Sequence, residues 1–254
     1  MKQLPKVIFQ DLGHISYKEA WDYQFQLQKQ LIDHKLVARK RLERVVETSE
    51  YPPSVLADIL EPPQSHYLLF CEHNPVYTLG KSGSLDHLLL SETELYNKGV
   101  EFFKINRGGD ITYHGPGQIT GYPIFDLDFF FTDVHKYVRY LEEVVIRTLA
   151  EYDLEGTRIA GYTGVWLEGD GEKPKRKISA IGVHLSRWVT MHGFAFNINT
   201  DLTYFTNIIP CGIAEDDKAV TSLSVELGKK IEIGEVKEKL KRHFAALFEF
   251  DFLT

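Results

Sequence analysis

The chain has 254 residues, 43% hydrophobic and 26% charged, with a net charge of −7. That supports a sizeable core in one large domain or two small ones, and argues against global attraction to nucleic acid or an anionic membrane. No uncharged apolar run is long enough to span a bilayer, the N-terminus MKQLPKVIFQDLG lacks the features of a secretory signal, and two distant cysteines make no disulfide framework, so a cytoplasmic setting is expected.

In chain order, residues 16–36 read as a helix. Ser16 and Glu19 have capping-box spacing, and Trp21, Phe25, Leu27, Leu31 and Ile32 follow at near-helical intervals. Residues 37–64 begin as a basic helical pattern, ARKRLER, and end in Pro52-Pro53 and Pro62-Pro63 turns. HYLLFCEHNPVYTLG gives a buried strand at 67–71, a turn at Asn74-Pro75 and a short second strand. Cys71 lies inside that apolar run and reads as an inert core thiol.

Ser91 and Gly99 bound a short helix, and VEFFKI is a strand. Residues 133–152 form an amphipathic helix capped by Asp133, with Val134, Val138, Leu141, Val145 and Leu149 on one face. Strands follow at 164–167, 177–186 and 189–198, then a short helix within 219–228, a strand candidate KKIEI, and a last helix at 235–248. Strands and helices mix without strict alternation. The expected class is α+β, with a mixed or antiparallel sheet and flanking helices.

Two stretches bear on chemistry. RGGDITYHGPGQ (107–118) concentrates four glycines among polar residues, as a loop does where backbone must approach a ligand closely or take positive φ. Gly108-Gly109 beside Arg107 offers backbone donors next to a permanent cation, suited to a carbonyl or oxyanion; His114 reads as a packing histidine or a base. IIPCGI (208–213) holds Cys211, either a small buried hydrophobe at a turn or a nucleophile. A nucleophilic thiol needs an activator, since at a pKa of about 8.5 only a few per cent is thiolate at neutral pH. Lys177 closes a basic turn and opens the apolar strand ISAIGV, so it is either an ordinary turn lysine or a partly desolvated partner for Cys211. No zinc-ligand spacing, phosphate-binding loop, dinucleotide fingerprint or GxSxG elbow occurs. EKPKRK and ARKRLER read as solvated faces or as docking sites for an acidic partner.

Taken together, EHNPVYTLG, RGGDITYHGPGQITGYPIFDL, KISAIGVHLSRWVTMHGFAFNI, DL..F..IIPCGI and VTSL resemble the lipoyl(octanoyl) transferase family in order and content. The resemblance implies a single catalytic domain over 1–254, with a fold like that of biotin and lipoate protein ligase domains and a possible insert at 33–64. It implies transfer of octanoyl from octanoyl-acyl carrier protein to a lysine of an apo lipoyl domain, in 2-oxoacid dehydrogenases or the glycine cleavage H protein. Cys211 would carry the acyl group as a thioester, and Lys177 would lower the thiol pKa or act as base. Substrate contacts would fall on Arg107, Gly108, Gly109, Asp110, Ile111, Thr112, Tyr113 and His114, on Ala180, Ile181 and Gly182, and on Gly193, Phe194 and Ala195. No cofactor or metal is implied, because a thioester is already activated. The competing readings are an ATP-dependent lipoate– or biotin–protein ligase, which shares the fold but acylates no cysteine, and a non-catalytic acyl-carrier or lipoyl-domain binding protein.

Overall fold

A computed structural model describes residues 4–48, 65–171, 173–209 and 218–253. Cys211 and the Pro52-Pro53 and Pro62-Pro63 pairs lie outside the described residues.

The strands are β1 (Lys6–Ile15), β2 (His66–His73), β3 (Val76–Leu79), β4 (Glu101–Lys104), β5 (Ile111–His114), β6 (Gln118–Ile124), β7 (Gly156–Ile159), β8 (Tyr162–Leu167), β9 (Lys175–Ser186), β10 (Val189–Asn197), β11 (Lys218–Val220) and β12 (Asp251–Phe252). The α-helices are α1 (Tyr17–Thr48), α2 (Glu92–Lys98), α3 (Val134–Ala150), α4 (Leu223–Leu227) and α5 (Ile233–Phe248). The large sheet runs β12-β1-β2-β6-β10-β9-β8-β7, with β11 also paired to β9; β4-β3-β5 form a small sheet. Parallel and antiparallel pairs both occur, so the expected α+β class with a mixed sheet is correct.

One face of the large sheet is covered by α3 and α5. Val7, Leu68, Phe70, Phe194 and Phe196 meet Leu141, Val145, Val236, Leu240 and Phe244 in one core cluster. α1 covers the other face, where Ala20, Leu27 and Leu31 pack on Leu69, Tyr122 and Val189. The Asn74-Pro75 turn switches the chain between sheets: β2 lies in the large one and β3 in the small one.

Several sequence expectations need correction. The first helix continues from residue 36 to Thr48 through the basic stretch. Its core stripe is Tyr17, Ala20, Gln24, Leu27, Gln28 and Leu31, while Phe25 is exposed, one position off that stripe. Val134, at the first position of α3, is also exposed. KKIEI is no strand: it leads into α5, which begins at Ile233, and its Ile231 packs into the core. No helix among the described residues is long and apolar enough to cross a membrane.

The caps follow their sequence signals. Ser91 accepts from Glu94 N–H while the Glu94 carboxylate accepts from Ser91 N–H, and Gly99 closes α2 in the left-handed region. Asp133 caps α3 through Lys136 N–H.

Burial also fixes two histidines of β2. His66 accepts from Asp126 N–H at Nδ1, and His73 bonds Ile15 O and the Tyr122 hydroxyl. Burial lowers each pKa to about 4. Each is therefore neutral in the native protein but charges near pH 6.5 when unfolded, so the unfolded state binds more protons between pH 6.5 and 4.

Two outcomes are expected. Urea titrations from pH 7 to pH 4 will show stability falling as the pH drops through this window, by roughly 3 kcal/mol per histidine at its foot. Phe244→Ala, which empties a site packed on Phe70, Phe194 and Phe248, will cost about 3–5 kcal/mol, read as a lower urea midpoint with unchanged slope.

Candidate active site

β8 pairs with β9 only from Arg176 to Ser179, so the outer edge of β9 beyond Ser179 lacks that neighbour. The β4–β5 loop covers part of it. Gly108 N–H donates to Val183 O at 2.9 Å, laying the loop on the strand edge. Gly182 permits this approach, because a Cβ there would lie 2.8 Å from Gly108 O and 2.9 Å from Arg107 Cδ. Between the loop, the β6-β10-β9 strands and the β7–β8 hairpin lies a cavity of about 300 Å³.

Its walls include Ile111, Ala180, Ile181, Val183, Phe194 and Ala195, an apolar set, with Arg107, His114, Gln118, His192, Asn197 and Lys177 as polar members. Every residue expected as a substrate contact lines this cavity except Tyr113. Tyr113 is a packing residue instead. It is buried, stacks on Tyr204 at 4.6 Å between centroids and meets Phe205 edge-on. In β5 the side chains alternate, so Tyr113 belongs to the small-sheet core.

Two other expectations change. Gly108 N–H is committed to Val183 O, so it is not a donor for an oxyanion. Arg107 is buried, and its guanidinium donates to Thr78 O at 2.6 Å, Thr78 Oγ1 at 2.9 Å and Gly108 O at 3.1 Å. Its role here is to clamp the loop to β3.

A buried polar chain continues from Arg107. Gln118 Nε2 donates to Tyr113 O and Asn197 Oδ1, leaving Gln118 Oε1 to accept from His114 Nδ1 at 2.8 Å. His114 Nε2 then accepts from the Thr78 hydroxyl at 3.3 Å. Burial holds His114 far below the usual histidine range, reinforced by the neighbouring His73. A neutral imidazole tied at both nitrogens, stacked on Tyr17 at 5.8 Å, is a packing and orienting group. His192, in the MHGFAF stretch of β10, carries no chemical signal of its own in the sequence but lines the cavity. It takes φ +60°, donates through Nε2 to Asn106 Oδ1 at 2.9 Å, and burial lowers its pKa to about 3.

Lys177 lines the cavity and sits where β9 has neighbours on both sides, Trp166 of β8 and Val220 of β11. β11 takes the lane that β10 leaves, and Thr221 N–H donates to Lys177 O while Asn197 Nδ2 donates to Thr221 O. Phe205 and Val220, which precede and follow residues 210–217 in the chain, both line the cavity. Cys71 is fully buried, hydrogen-bonded to Thr120, and burial pushes its thiol up to about 12, consistent with an inert thiol.

The basic turn is largely self-neutralised. Arg176 makes a bidentate pair with Glu226 at 2.7 and 2.9 Å, and Lys175 pairs with Glu168 at 3.4 Å. Arg176 is structural, so it does not belong to a docking face. Among the described residues no group of three or more His, Cys, Asp or Glu side chains is placed to hold a metal ion.

Comparison with known proteins names the fold. The model of the lipoyl protein ligase A/B catalytic domain matches residues 50–245. An octanoyltransferase of Flavobacterium psychrophilum is 58% identical over 94% of this chain and 95% of its own. One from Cytophaga hutchinsonii is 53% identical over 96% and 93%. Among solved structures, the bipartite lipoate protein ligase of Thermoplasma acidophilum, described with its E2 lipoyl domain, has a TM-score of 0.63 at 14% identity, covering 99% of this chain and 86% of that one; that likeness is one of fold. The chain belongs to the lipoyl protein ligase A/B catalytic domain family.

Proposed function

We propose that the protein is an octanoyltransferase that moves an octanoyl group from an acyl-carrier thioester to a lysine of a lipoyl domain through Cys211. The observation that carries this reading is identity above 50% to octanoyltransferases over nearly the whole chain. The cavity supports it. At about 300 Å³ it lies at the small end of ligand pockets, and its walls are apolar along β9 and β10. Burying about seven methylene and methyl groups contributes roughly 5 kcal/mol.

The chemistry divides into two acyl transfers. The Cys211 thiolate attacks the octanoyl carbonyl, the bond to the carrier sulfur breaks, and the carrier leaves as a thiolate. The lipoyl-domain amine then attacks the Cys211 thioester, the C–N bond forms and the Cys211 sulfur leaves. Over the cycle the amine gives up one proton, and the carrier thiol gains one. Neither step calls for ATP, since the thioester carries the activation. Lys177 assists by favouring the Cys211 thiolate; its place in the cavity wall, beside the strand that resumes at Lys218 after residues 210–217, supports that role. The substrate amine arrives on a folded lipoyl domain.

Mass spectrometry after incubation with octanoyl-acyl carrier protein and no ATP will find one octanoyl group on Cys211. Cys211→Ala will abolish the adduct and lower transfer to a lipoyl domain by on the order of a thousandfold or more. ATP-dependent transfer with no adduct would sink the reading. Lys177→Met keeps an unbranched stem, one atom shorter, but removes the charge. It will slow Cys211 alkylation at pH 7 about tenfold and move its pH profile upward; an unchanged profile would remove Lys177 from the mechanism.

A further inference from the structure

Lys177 lies in a built seat. Its cross-strand neighbour on β8 is Trp166, fully buried, whose ring centroid is 4.7 Å from Lys177 Nζ. Gly164, two residues earlier, has φ +128°, a conformation that L side chains avoid. A Cβ there would stand 2.5 Å from Ser179 O and 3.5–3.6 Å from Lys177 Cε and Cδ, so the lysine stem passes beside Gly164. The β8–β9 register shifts at Val165/Trp166, next to this glycine. The Gly164 N–H at the shift donates to Glu142 Oε1 of α3 at 3.1 Å, and Glu142, itself fully buried, is held by Arg139 at 2.6 Å and Arg158 at 2.9 Å.

We propose that Trp166 is a positioning residue for the acyl transfer: its ring face fixes the Lys177 ammonium at the cavity wall, while Gly164, anchored by Glu142 and packed against Ser179 O, holds the β8–β9 register that sets the two side chains opposite each other. This rests on the Lys177–Cys211 reading and deepens it. The face of an indole is negative and attracts an ammonium but not a neutral amine. Lys177 therefore acts on Cys211 as a fixed positive charge and not as the base that removes its proton. The charged groups on the elements packed around it are engaged nearby. Arg176 of β9 pairs with Glu226 of α4, and Lys173 lies 3.9 Å from the same carboxylate. Lys218 of β11 lies over the Tyr162 ring, and Glu142 of α3 lies between its two arginines. Tyr162 meets Trp166 edge-on at 6.1 Å, so one aromatic pair on β8 seats a lysine from each of two strands.

The test is the pH dependence of Cys211 alkylation in the full chain, compared among wild type, Trp166→Phe, Trp166→Leu, Lys177→Met and the Trp166→Leu/Lys177→Met double variant. Trp166→Leu is expected to slow alkylation at pH 7 about fivefold and to shift the profile toward that of Lys177→Met. Trp166→Phe, which keeps a ring face, will recover most of the rate. In the double variant Trp166→Leu will add nothing to Lys177→Met. Should Trp166→Leu not fold, the chain carrying Trp21→Phe and Trp188→Phe, leaving Trp166 as the sole tryptophan of the three, is produced with increasingly fluorinated tryptophan. Fluorine drains the ring face while nearly keeping its shape, and the rate will fall stepwise. A rate insensitive to fluorination overturns the proposal. So does a Trp166→Leu effect equally large without Lys177. A Lys177→Met profile matching wild type overturns the underlying Lys177–Cys211 reading, and the seat with it.

Discussion

The site depends on one backbone hydrogen bond, from Gly108 N–H to Val183 O. An edge strand with unpaired backbone groups invites partners from outside. Here part of the β9 edge is closed by the chain's own glycine-rich loop, which roofs the cavity instead of adding a strand. The Arg107 clamp to Thr78 holds the roof to the small sheet through charge-assisted bonds, and Gly108 N–H ties it to the large one. The glycine this docking requires is Gly182 of β9, against which the loop lies.

From that roof inward, polar groups satisfy each other. The Thr78–His114–Gln118–Asn197 chain uses its donors and acceptors on neighbours, while burial keeps His114 neutral. What it leaves along β9 and β10 is apolar wall, suited to an aliphatic chain. At its other end this network reaches Thr221 through Asn197 Nδ2, and Thr221 N–H holds Lys177 O. The histidines organise the cavity, and Lys177 is brought to its wall separately, by strand β9.

Much of this was legible because it is periodic. α3, α5 and the β9–β10 hairpin carry apolar spacings of one period each, and Ser91, Gly99 and Asp133 mark helix ends by their capping chemistry. β6 was not legible as a strand: QITGYPI carries Gly121 and Pro123 inside it, residues that argue against a strand interior. β1 alternates poorly because only Val7 is fully buried along it. The site loop stood out by composition, but which of its residues face the cavity did not. Tyr113 and His114 are neighbours, and only three-dimensional pairing sends one to the small-sheet core and the other to the cavity wall. Gln118 and Asn197 carried a usable signal, a buried amide inside an apolar strand, which demands a partner.

The basic turn shows why register outweighs composition. From sequence, Lys173, Lys175, Arg176 and Lys177 are four cations in one short stretch, and Lys177 is set apart only by opening the apolar strand ISAIGV. In a strand, successive side chains point to opposite faces. Arg176 therefore reaches Glu226, which also accepts from Thr221, while Lys177 lies on Trp166 in the cavity wall. A one-residue slip of β9 on β8 that moves Arg176 into the place of Lys177 moves Lys175 into that of Arg176, placing a guanidinium in the cavity and an amine on Glu226. Three features oppose that slip: the bidentate fit of arginine to carboxylate, the glycine-only backbone at Gly164, and β11, which pairs Lys175 with Lys218 and Lys177 with Val220 on the other side. The ion pair that neutralises one of the turn's four cations is thus also one of the features that set which of them enters the cavity.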